Sequence, residues 1–557
     1  MWDSLPVQPT PDLDEDPNVD PDPLEALLRQ MVGPEASFRT DQRRAIEAVT
    51  VDGARVLVVQ RTGWGKSLVY WIATRVLRDR GEGPTVIISP LLALMRNQIA
   101  AAARIGLHAV TVNSSNRDAW PGIRAALAND EVDVLLVSPE RLADEGFMRD
   151  TLPSIARNIG LFVVDEVHCI SDWGHDFRPD YRRIGAILDA LPPRTPVLGT
   201  TATANRRVIT DIEVQLGEAT VTIDGPLRRD SLRLGAHVID DPAERMAWLS
   251  QYIPKIRGAG IVYCLTVDDT ERVAAFLRQR GIDARAYSAR LSESDREALE
   301  LGLLADDFKV LVATVALGMG FDKPNLGFVI HYQRPGSAIT YYQQVGRAGR
   351  GVDDAYGILL SGREDDEIQR YFIHSAFPPV ADIRAVIDQL AGGRPRTLGE
   401  LTSVTKLHRK RVETIIRSLH VDGVVARDKD HYALTGEPWQ EGVDRIARVI
   451  AMREAELAQM QAYVEHDGCL MAFLATALDD PNAAPCGRCA PETGGFRWSE
   501  VDHEERRLAA AFLGSGAATR KAAKPPAKPR VPRTPRIARV QAAPKPRKVT
   551  RKRPKAA

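Results

Sequence analysis

The sequence predicts an α/β protein in which two parallel-sheet lobes follow one another and a smaller, mostly helical region comes after them. At 557 residues the chain is too long for a single hydrophobic core, because domains usually hold about 100 to 200 residues. Short runs of Val, Ile and Leu alternate with amphipathic stretches, a pattern typical of a parallel sheet with helices on both faces. The alternation stops at Gly225-Pro226 and then resumes, which indicates two lobes.

Apolar runs supply the predicted strands of these lobes. In the first lobe, over residues 24–225, they are 55–59, 85–89, 133–137, 161–164 and 197–199. In the second lobe, over residues 226–377, they are 260–264, 284–287, 309–313 and 327–331.

A different pattern begins near Pro378 and predicts a winged-helix-like domain over residues 378–436. Three helical stretches, 382–390, 397–403 and 406–420, precede a hairpin at 423–434. The third stretch fits either a nucleic-acid contact or a solvated helix surface. Its basic residues are Lys406, His408, Arg409, Lys410, Arg411 and Arg417. A small helical segment that contains three cysteines follows at 437–515.

The two ends of the chain are strongly charged and predict disorder. Residues 1–23 are rich in Asp and Pro, and residues 516–557 in Lys, Arg and Pro, so neither can build a core. Residues 517–557 hold 15 Lys or Arg and no Asp or Glu, which leaves 59 minus 74, or −15, on the first 516. A basic tail on an acidic body favours a polyanionic partner such as nucleic acid, although a solvated segment has the same composition.

The composition argues against membrane and secreted classes. No run approaches the roughly 20 apolar residues of a membrane helix. The first 28 residues hold eight carboxylates and no Lys or Arg, the opposite of a signal peptide. Five cysteines, an odd number, argue against a disulfide framework. We expect a cytoplasmic protein, associated with the nucleoid if its source is bacterial.

A glycine-rich loop with phosphate-binding chemistry follows the first predicted strand. Residues 60–67 read QRTGWGKS, and a helix is predicted from Leu68. Lys66 would reach the β and γ phosphates of a nucleotide, and Ser67 would ligate Mg²⁺. The rest of the candidate loop is Thr62, Gly63, Trp64 and Gly65. Position 60 is Gln where the strict pattern requires Gly, so a plain glycine turn stays open on this motif alone.

Two acids follow the strand 161–164, at the sheet edge where α/β proteins place ligands. Asp165 can hold Mg²⁺ directly or through water, and Glu166 can orient or deprotonate an attacking water. Two buried acids without a metal would be costly.

Here the sequence resembles a known family. Residues 165–181, DEVHCISDWGHDFRPDY, are similar to the acidic box and aromatic-rich loop of RecQ helicases, which belong to superfamily 2. Further matches run in order over residues 36–362: Phe38-Arg39 with Gln42, Ser89-Pro90-Leu91, SPERL at 138–142, TATA at 201–204, ATVALGMGFDKP at 313–324 and QQVGRAGR at 343–350. The resemblance implies RecA-like lobes and an ATP-dependent DNA helicase that unwinds 3′ to 5′ in DNA repair or recombination.

The resemblance also implies roles around the nucleotide. Arg39 and Gln42 would read the adenine edge, although Glu35 stands where the family commonly has a stacking aromatic residue. The implied catalytic residues are Lys66, Asp165, Glu166, His168, Arg347 and Arg350, with Arg350 as the expected arginine finger. Gly318 and Asp322 would contact the nucleotide from the second lobe.

For DNA, the resemblance implies two groups of contacts. Ser89, Asn97, Ser138 and Arg141 would bind the phosphate backbone. Trp173, Phe177 and Arg178 would sense single-stranded DNA, with core packing as the alternative for the aromatic cluster. Thr201 and Thr203 would link ATP state to strand separation.

Three cysteines resemble part of the family's four-cysteine zinc site. They are Cys469, Cys486 and Cys489, and Glu492 occupies the fourth position. Structural zinc requires four ligands, so we expect His466 to substitute, with Asp467 and Glu492 as weaker candidates and a metal-free fold as the alternative. Cys169 and Cys264 are expected to be buried thiols.

The order of the C-terminal segments departs from the family. The family usually has its winged helix after the zinc module, whereas here it precedes the cysteines. We therefore do not transfer to this chain the strand-separating role that the family assigns to the hairpin of its winged helix.

Two functions stay open on the motor motifs. One is a helicase that uses ATP and Mg²⁺ on single-stranded and tailed or forked duplex DNA, acting as a monomer. The other is a DNA-stimulated ATPase that remodels nucleoprotein complexes without processive unwinding. A DNA-binding protein with a vestigial motor, or an RNA substrate, is a weaker alternative.

Overall fold

The computed structural model describes residues 22–90, 99–100, 102–112, 116–144, 146, 158–171, 181, 183–217, 219–318, 321–439, 441–494, 498 and 500–515. No helix in this described part has the length and hydropathy that crossing a bilayer requires. Of the two ends predicted to be disordered, 1–21 and 516–557 lie outside the described residues. Asp22 and Pro23 belong to the first helix instead, because the Asp22 carboxylate accepts from the Leu24 N–H and caps it.

The first lobe is a parallel sheet in the order β3-β4-β2-β5-β6-β1-β7. Its strands are β1 Arg55–Val59, β2 Thr85–Ile88, β3 Ala109–Val112, β4 Val134–Val137, β5 Leu161–Asp165, β6 Val197–Thr201 and β7 Val221–Asp224. Its described helices include α1 Pro23–Val32, α2 Gln42–Thr50, α3 Lys66–Asp79, α4 Trp120–Ala128, α5 Arg183–Ala190 and α6 Arg206–Leu216. The five predicted strands are confirmed. The predictions missed β3 and β7 because these edge strands are only partly buried and show no continuous apolar run.

The second lobe is also a parallel sheet, in the order β10-β11-β9-β12-β13-β8. Its strands are β8 Leu232–Val238, β9 Gly260–Tyr263, β10 Ala284–Tyr287, β11 Val310–Ala313, β12 Phe328–His331 and β13 Ala355–Ser361. Its helices are α7 Pro242–Tyr252, α8 Val267–Gln279, α9 Glu293–Leu304, α10 Ala338–Val345 and α11 Glu364–Ser375. All four predicted strands are present, and the two-lobe architecture is confirmed.

Strand register brings the functional motifs of the first lobe to one edge of its sheet. In the β5-β6-β1 segment, Asp165 lies opposite Thr200, and Thr201 lies opposite Val59. The glycine loop begins one residue after Val59. The loop and the acidic pair therefore leave the same sheet edge, on either side of β6.

Three helices and a hairpin follow the second lobe in the predicted order. They are α12 Val380–Leu390, β14 Arg396–Thr397, α13 Leu398–Thr405, α14 Arg409–Val421, β15 Val425–Asp428 and β16 His431–Leu434. The strands form an antiparallel sheet in the order β14-β16-β15. Val386, Leu401, Ile415 and Leu419 belong to a hydrophobic core separate from those of the lobes. The order of helices and hairpin is consistent with the predicted winged-helix-like domain, which stays a prediction.

The C-terminal helices pack against the second lobe. They are α15 Glu441–Val464, α16 Leu470–Ala477, α17 Ala490–Thr493 and α18 His503–Gly514. Tyr463 and Leu474 share one core with Leu234 and Tyr341 of the second lobe. Amphipathic periodicity predicts that a helix has a buried face but does not identify what covers that face, so this docking was not predictable.

The segment after α16 also contacts the first lobe. The Asp479 carboxylate accepts from the Arg206 N–H at the start of α6, at 2.8 Å. The Asp480 carboxylate accepts from the Leu227 N–H, also at 2.8 Å, in the connection between the lobes.

Candidate nucleotide site and its surroundings

The glycine loop turns back on itself between β1 and α3. Gly63 and Gly65 have φ values of 76° and 99°, in the left-handed region that favours glycine. A Cβ on Gly65 would lie 2.7 Å from Gln42 Nε2, and one on Gly63 would lie 3.3 Å from Arg350 Cγ. The loop is therefore closely packed against both lobes.

Lys66, the first residue of α3, points back into the loop. Its ammonium donates to the backbone carbonyls of Gln60 at 2.8 Å and Arg61 at 3.4 Å. Enclosure by the surrounding protein lowers the pKa of Lys66 to about 8, although Glu166 and Asp165 act in the opposite direction. The charge of Arg350 from the second lobe lowers it further. The predicted loop lysine, acidic pair and finger arginine thus lie within electrostatic reach of one another.

Asp165 ends β5 and is almost completely buried. Its carboxylate accepts hydrogen bonds from the Thr200 hydroxyl at 2.8 Å, the Glu166 N–H at 3.1 Å and the Ser89 hydroxyl at 3.4 Å. Burial raises the pKa of Asp165 even though these donors and Lys66 oppose it. A buried carboxylate that neighbouring groups hold in place is suited to bind a divalent cation.

Glu166 and His168 continue from this strand into a 3-10 helix, Val167–Ile170. Glu166 has a φ of 50°, a conformation that costs free energy and is common at functional sites. Its Oε2 lies 3.4 Å from His168 Nδ1. His168 is fully buried, and the same nitrogen lies 2.9 Å from the Thr201 hydroxyl.

The second lobe faces this site with two arginines. Arg350 pairs with Asp322 at 2.9 Å, and burial lowers its pKa. Arg347 donates to the Phe321 carbonyl at 3.2 Å. Of these two, Arg350 is the one packed against the glycine loop.

Arg39 and Gln42 brace the glycine loop. The Gln42 amide accepts from the Arg39 N–H and donates to the Trp64 carbonyl, each at 2.8 Å. The Arg39 guanidinium donates to the Gly63 carbonyl. Both residues therefore lie beside the loop, with the Gln42 amide engaged by the protein at its oxygen and its nitrogen.

Several residues expected to contact DNA are buried in this conformation. Ser89 donates to Asp165, and Arg141 lies 3.4 Å from the Asp144 carboxylate and over the Trp120 ring. Ser138, Thr201 and Thr203 are also buried. Their contacts with DNA stay predictions. In this conformation the side chains are enclosed near strand ends of a covered parallel sheet. Leu91, Asn97, Trp173, His175, Phe177 and Arg178 lie outside the described residues.

A polar chain links the acidic box to the second lobe. It runs from His168 to Thr201, and the Thr203 N–H donates to the Thr201 hydroxyl at 3.2 Å. The Thr203 hydroxyl then accepts from Gln343 Nε2, in α10, at 2.6 Å. The sequence marks Gln343 only as part of a motif and does not mark Thr200 or Arg229, because no residue-type pattern indicates such contacts.

The three C-terminal cysteines and Glu492 form a candidate metal site. One ligand atom from each of these four residues lies within 4.8 Å of the others. Glu492 is oriented by the N–H groups of Gly487, at 3.1 Å, and Cys489, at 3.3 Å. His466, the preferred fourth ligand, lies outside this cluster and packs on Phe473, with ring centroids 5.1 Å apart.

The thiols of the cluster lie close enough to shift one another's pKa. A hydrogen bond from Cys489 lowers the pKa of Cys486 to about 6, while the pKa of Cys489 is raised. Cys169 and Cys264 are buried, as predicted.

Comparison with protein families agrees with the two-lobe fold. The DEAD/DEAH box helicase model matches residues 39–212, and the helicase conserved C-terminal domain model matches residues 244–352. Each match falls within one lobe.

Curated relatives match the same region. ATP-dependent DNA helicase Q1 of Pongo abelii is 36% identical over 339 residues, 59% of this chain and 51% of that protein. ATP-dependent DNA helicase RecQ of Pasteurella multocida (strain Pm70) is 36% identical over 328 residues, 58% of this chain and 50% of that protein. The chain thus spans about half the length of these relatives.

One relative matches over most of its length. The Bacillus subtilis (strain 168) protein named Probable ATP-dependent DNA helicase RecS is 30% identical over 505 residues, which are 88% of this chain and 96% of that protein.

Solved structures share the fold at lower identity. The DUF1998 helicase MrfA bound to DNA has a TM-score of 0.53 and 18% identity, covering 79% of this chain and 64% of that chain. Mss116p bound to ssRNA and AMP-PNP has a TM-score of 0.53 and 16% identity, covering 72% and 87%. At such identities the likeness shows the RecA-like fold alone.

Proposed function

Because this chain belongs to the RecQ family of superfamily 2 helicases, we propose that it is an ATP-dependent DNA helicase. ATP hydrolysis would drive translocation on single-stranded DNA and the opening of duplex ahead of it. The observation that carries the proposal is one shared site, in which Lys66, Asp165 and Glu166 of the first lobe meet Arg350 of the second.

The charges at this site fit ATP with Mg²⁺. Burial and the charge of Arg61 lower the pKa of Arg39, and burial and the charge of Arg350 lower that of Lys66. A polyphosphate relieves such mutual repulsion, and the Asp165 carboxylate and Ser67 hydroxyl are suitable ligands for its metal. When bound, ATP would supply the phosphoanhydride bond whose cleavage releases free energy.

The protein groups then have distinct tasks. Lys66 would hold the β and γ phosphates, and Glu166 would orient the attacking water and accept its proton. Arg350 would leave Asp322 and place its guanidinium against the charge that develops on the γ phosphate. Since the finger and the loop come from different lobes, rapid hydrolysis requires the lobes to be closed.

The polar chain through His168, Thr201, Thr203 and Gln343 supports coupling between hydrolysis and movement. It joins the residue beside Glu166 to a helix of the other lobe through hydrogen bonds. Such a connection lets the acidic box respond when the lobes rotate. Polarity from 3′ to 5′, a role in repair or recombination, and monomeric action on tailed or forked duplex are part of this proposal.

We also propose a structural zinc ion at Cys469, Cys486, Cys489 and Glu492. Three thiols and one carboxylate oxygen are donors that zinc binds, and they supply the four ligands of a structural site. Zinc would hold the start of α16, the turn after it and the start of α17 together, so the cluster would stabilise the C-terminal helices on the second lobe.

Strand displacement separates a helicase from a remodelling ATPase. Wild-type protein should unwind a 3′-tailed duplex with ATP, and should leave 5′-tailed and blunt duplexes largely intact. ATPase without displacement on any substrate would favour the remodelling alternative.

Two substitutions test the shared site itself. Lys66→Ala and Arg350→Ala should each lower DNA-stimulated kcat by at least about 100-fold, because each removes a charge that acts on the transferring phosphoryl group. If either variant kept wild-type turnover, the proposed motor would be wrong.

A further inference from the structure

The connection between the lobes, residues 225–231, is held at several points. The Gly225 N–H donates to the Val59 carbonyl at 3.2 Å, next to the glycine loop. The Leu227 N–H is bound by Asp480, and its carbonyl accepts from the Tyr342 hydroxyl. Because these hydrogen bonds hold the connection in place, it passes a movement of one lobe to the other instead of merely joining the two lobes.

Arg229 is the central residue of this connection. Its side chain is only 2% exposed, although it carries a guanidinium. One terminal nitrogen donates to the Thr62 carbonyl and hydroxyl and to the Gly346 carbonyl, at 3.2, 3.1 and 3.0 Å. The other donates to the carbonyls of Ala348 and Gly349, at 3.1 and 2.8 Å.

These acceptors belong to the two loops that the reaction brings together. Thr62 lies in the glycine loop, while Gly346, Ala348 and Gly349 lie in the loop that carries Arg350. The Thr62 hydroxyl also donates to the Gly346 carbonyl at 3.0 Å. One planar guanidinium thus joins both loops in a geometry that an ammonium does not reproduce.

Moving a charged side chain out of water costs free energy, which hydrogen bonds to the charge must offset. Burial lowers the pKa of Arg229 to about 10, so it stays protonated at neutral pH. The neighbouring Arg228 differs: its side chain is exposed and pairs with Asp230 at 2.7 Å. Two adjacent arginines therefore have different surroundings, and only Arg229 contacts the loops.

We infer that Arg229 is a positioning residue for hydrolysis, which holds the Arg350 loop against the glycine loop so that the finger is aligned when nucleotide binds. This inference rests on the proposed ATPase, and it assigns Arg229 a task separate from binding. Nucleotide contacts from Lys66 and the loop N–H groups do not require Arg229. Its removal should therefore affect kcat more than KM.

The test uses the full-length protein and the matched pair Arg229→Gln and Arg228→Gln. Arg229→Gln should lower ssDNA-stimulated kcat by about 10- to 100-fold, the size expected when a catalytic group is displaced by about 1 Å. Its KM for ATP should stay within about threefold, and Arg228→Gln should stay within about twofold of wild type in both parameters. Wild-type kcat in a folded Arg229→Gln variant would overturn the inference.

A double-mutant cycle distinguishes positioning from general stability. If Arg229 acts through Arg350, adding Arg229→Gln to Arg350→Ala should cause little further loss of kcat. Additive losses would overturn the inference, while the function itself is judged separately by Lys66→Ala. If Arg229→Gln does not fold, Arg229→Lys replaces it, and a kcat within twofold of wild type in that variant would also overturn the inference.

Discussion

At the scale of single residues, Lys66 determines how the proposed ATPase should respond to pH. Its pKa of about 8 means that the ammonium is present below pH 8 and is lost as pH rises through that value. A neutral amine does not attract phosphate, so kcat/KM for ATP should fall about tenfold per pH unit above 8.

A pH series of ATPase rates from 6.5 to 9.5 measures this dependence. Lys66→Arg is the control, because a guanidinium stays charged throughout the range. Its absolute rate will be lower, but the inflection near pH 8 should disappear. An unchanged inflection in Lys66→Arg would assign the titration to another group.

At the scale of elements, α10 and the segment just after β6 are joined by the hydrogen bond from Gln343 to Thr203. Gln343→Ala removes the donor but leaves Lys66, Glu166 and Arg350 in place. We expect the ATPase rate to stay within about fivefold of wild type. The number of base pairs opened per ATP hydrolysed should fall by at least about fivefold.

The matched control is Thr203→Ser, which keeps the accepting hydroxyl and should unwind DNA like wild type. Equal losses of ATPase and unwinding in Gln343→Ala would mean that this contact supports the active site rather than coupling.

The helix α14 presents a basic surface beside its buried face. Val412, Ile415 and Leu419 are in the core, whereas Lys410 and Arg417 are exposed. The double substitution Lys410→Ala with Arg417→Ala should weaken duplex binding and reduce the slope of log affinity against log salt by about 1 to 2.

Arg394→Ala is the control for this prediction. Arg394 is exposed, lies outside α14 and pairs with Glu400 at 2.8 Å. An unchanged salt slope in the double variant would identify the basic face as solvated surface only.

At the scale of the whole molecule, the metal site should stabilise the second lobe. Because Cys469 and Cys489 share a core with Leu234 and Tyr341, removing zinc with a chelator should lower the melting temperature of this lobe. The separate winged-helix-like core should be less affected. Hydrogen exchange measures the stability of these two regions separately.

Substitutions identify the fourth ligand. Glu492→Ala should lower the zinc content measured by mass spectrometry, and Glu492→Cys should restore it with a complete thiolate set. His466→Ala should bind one zinc per chain like wild type. Loss of zinc in His466→Ala, with retention in Glu492→Ala, would reverse the assignment.

Much of the fold could be predicted from the sequence because short, local residue patterns determine it. The strand Leu161–Val164 and the acids after it are adjacent in sequence, so their placement follows from one apolar run. Arg229 and the docking of Tyr463 on Tyr341 depend on contacts between distant segments, which a single sequence does not encode in any short pattern. The sequence favours His466 over Glu492 as the fourth ligand because structural zinc sites commonly use histidine. In the structure, the short helix α17 brings the Glu492 carboxylate beside the thiols.

The shared core of the C-terminal helices and the second lobe limits how this protein can be shortened. A fragment that stops at residue 377 would keep every motor motif and yet lose Tyr463 and Leu474, which share a core with Leu234 and Tyr341. Uncovered aromatic surface of this kind promotes self-association. Such a fragment should elute as aggregate in gel filtration, and a chain ending at 515 should not, so we expect folding of the proposed motor to require residues far beyond its motifs.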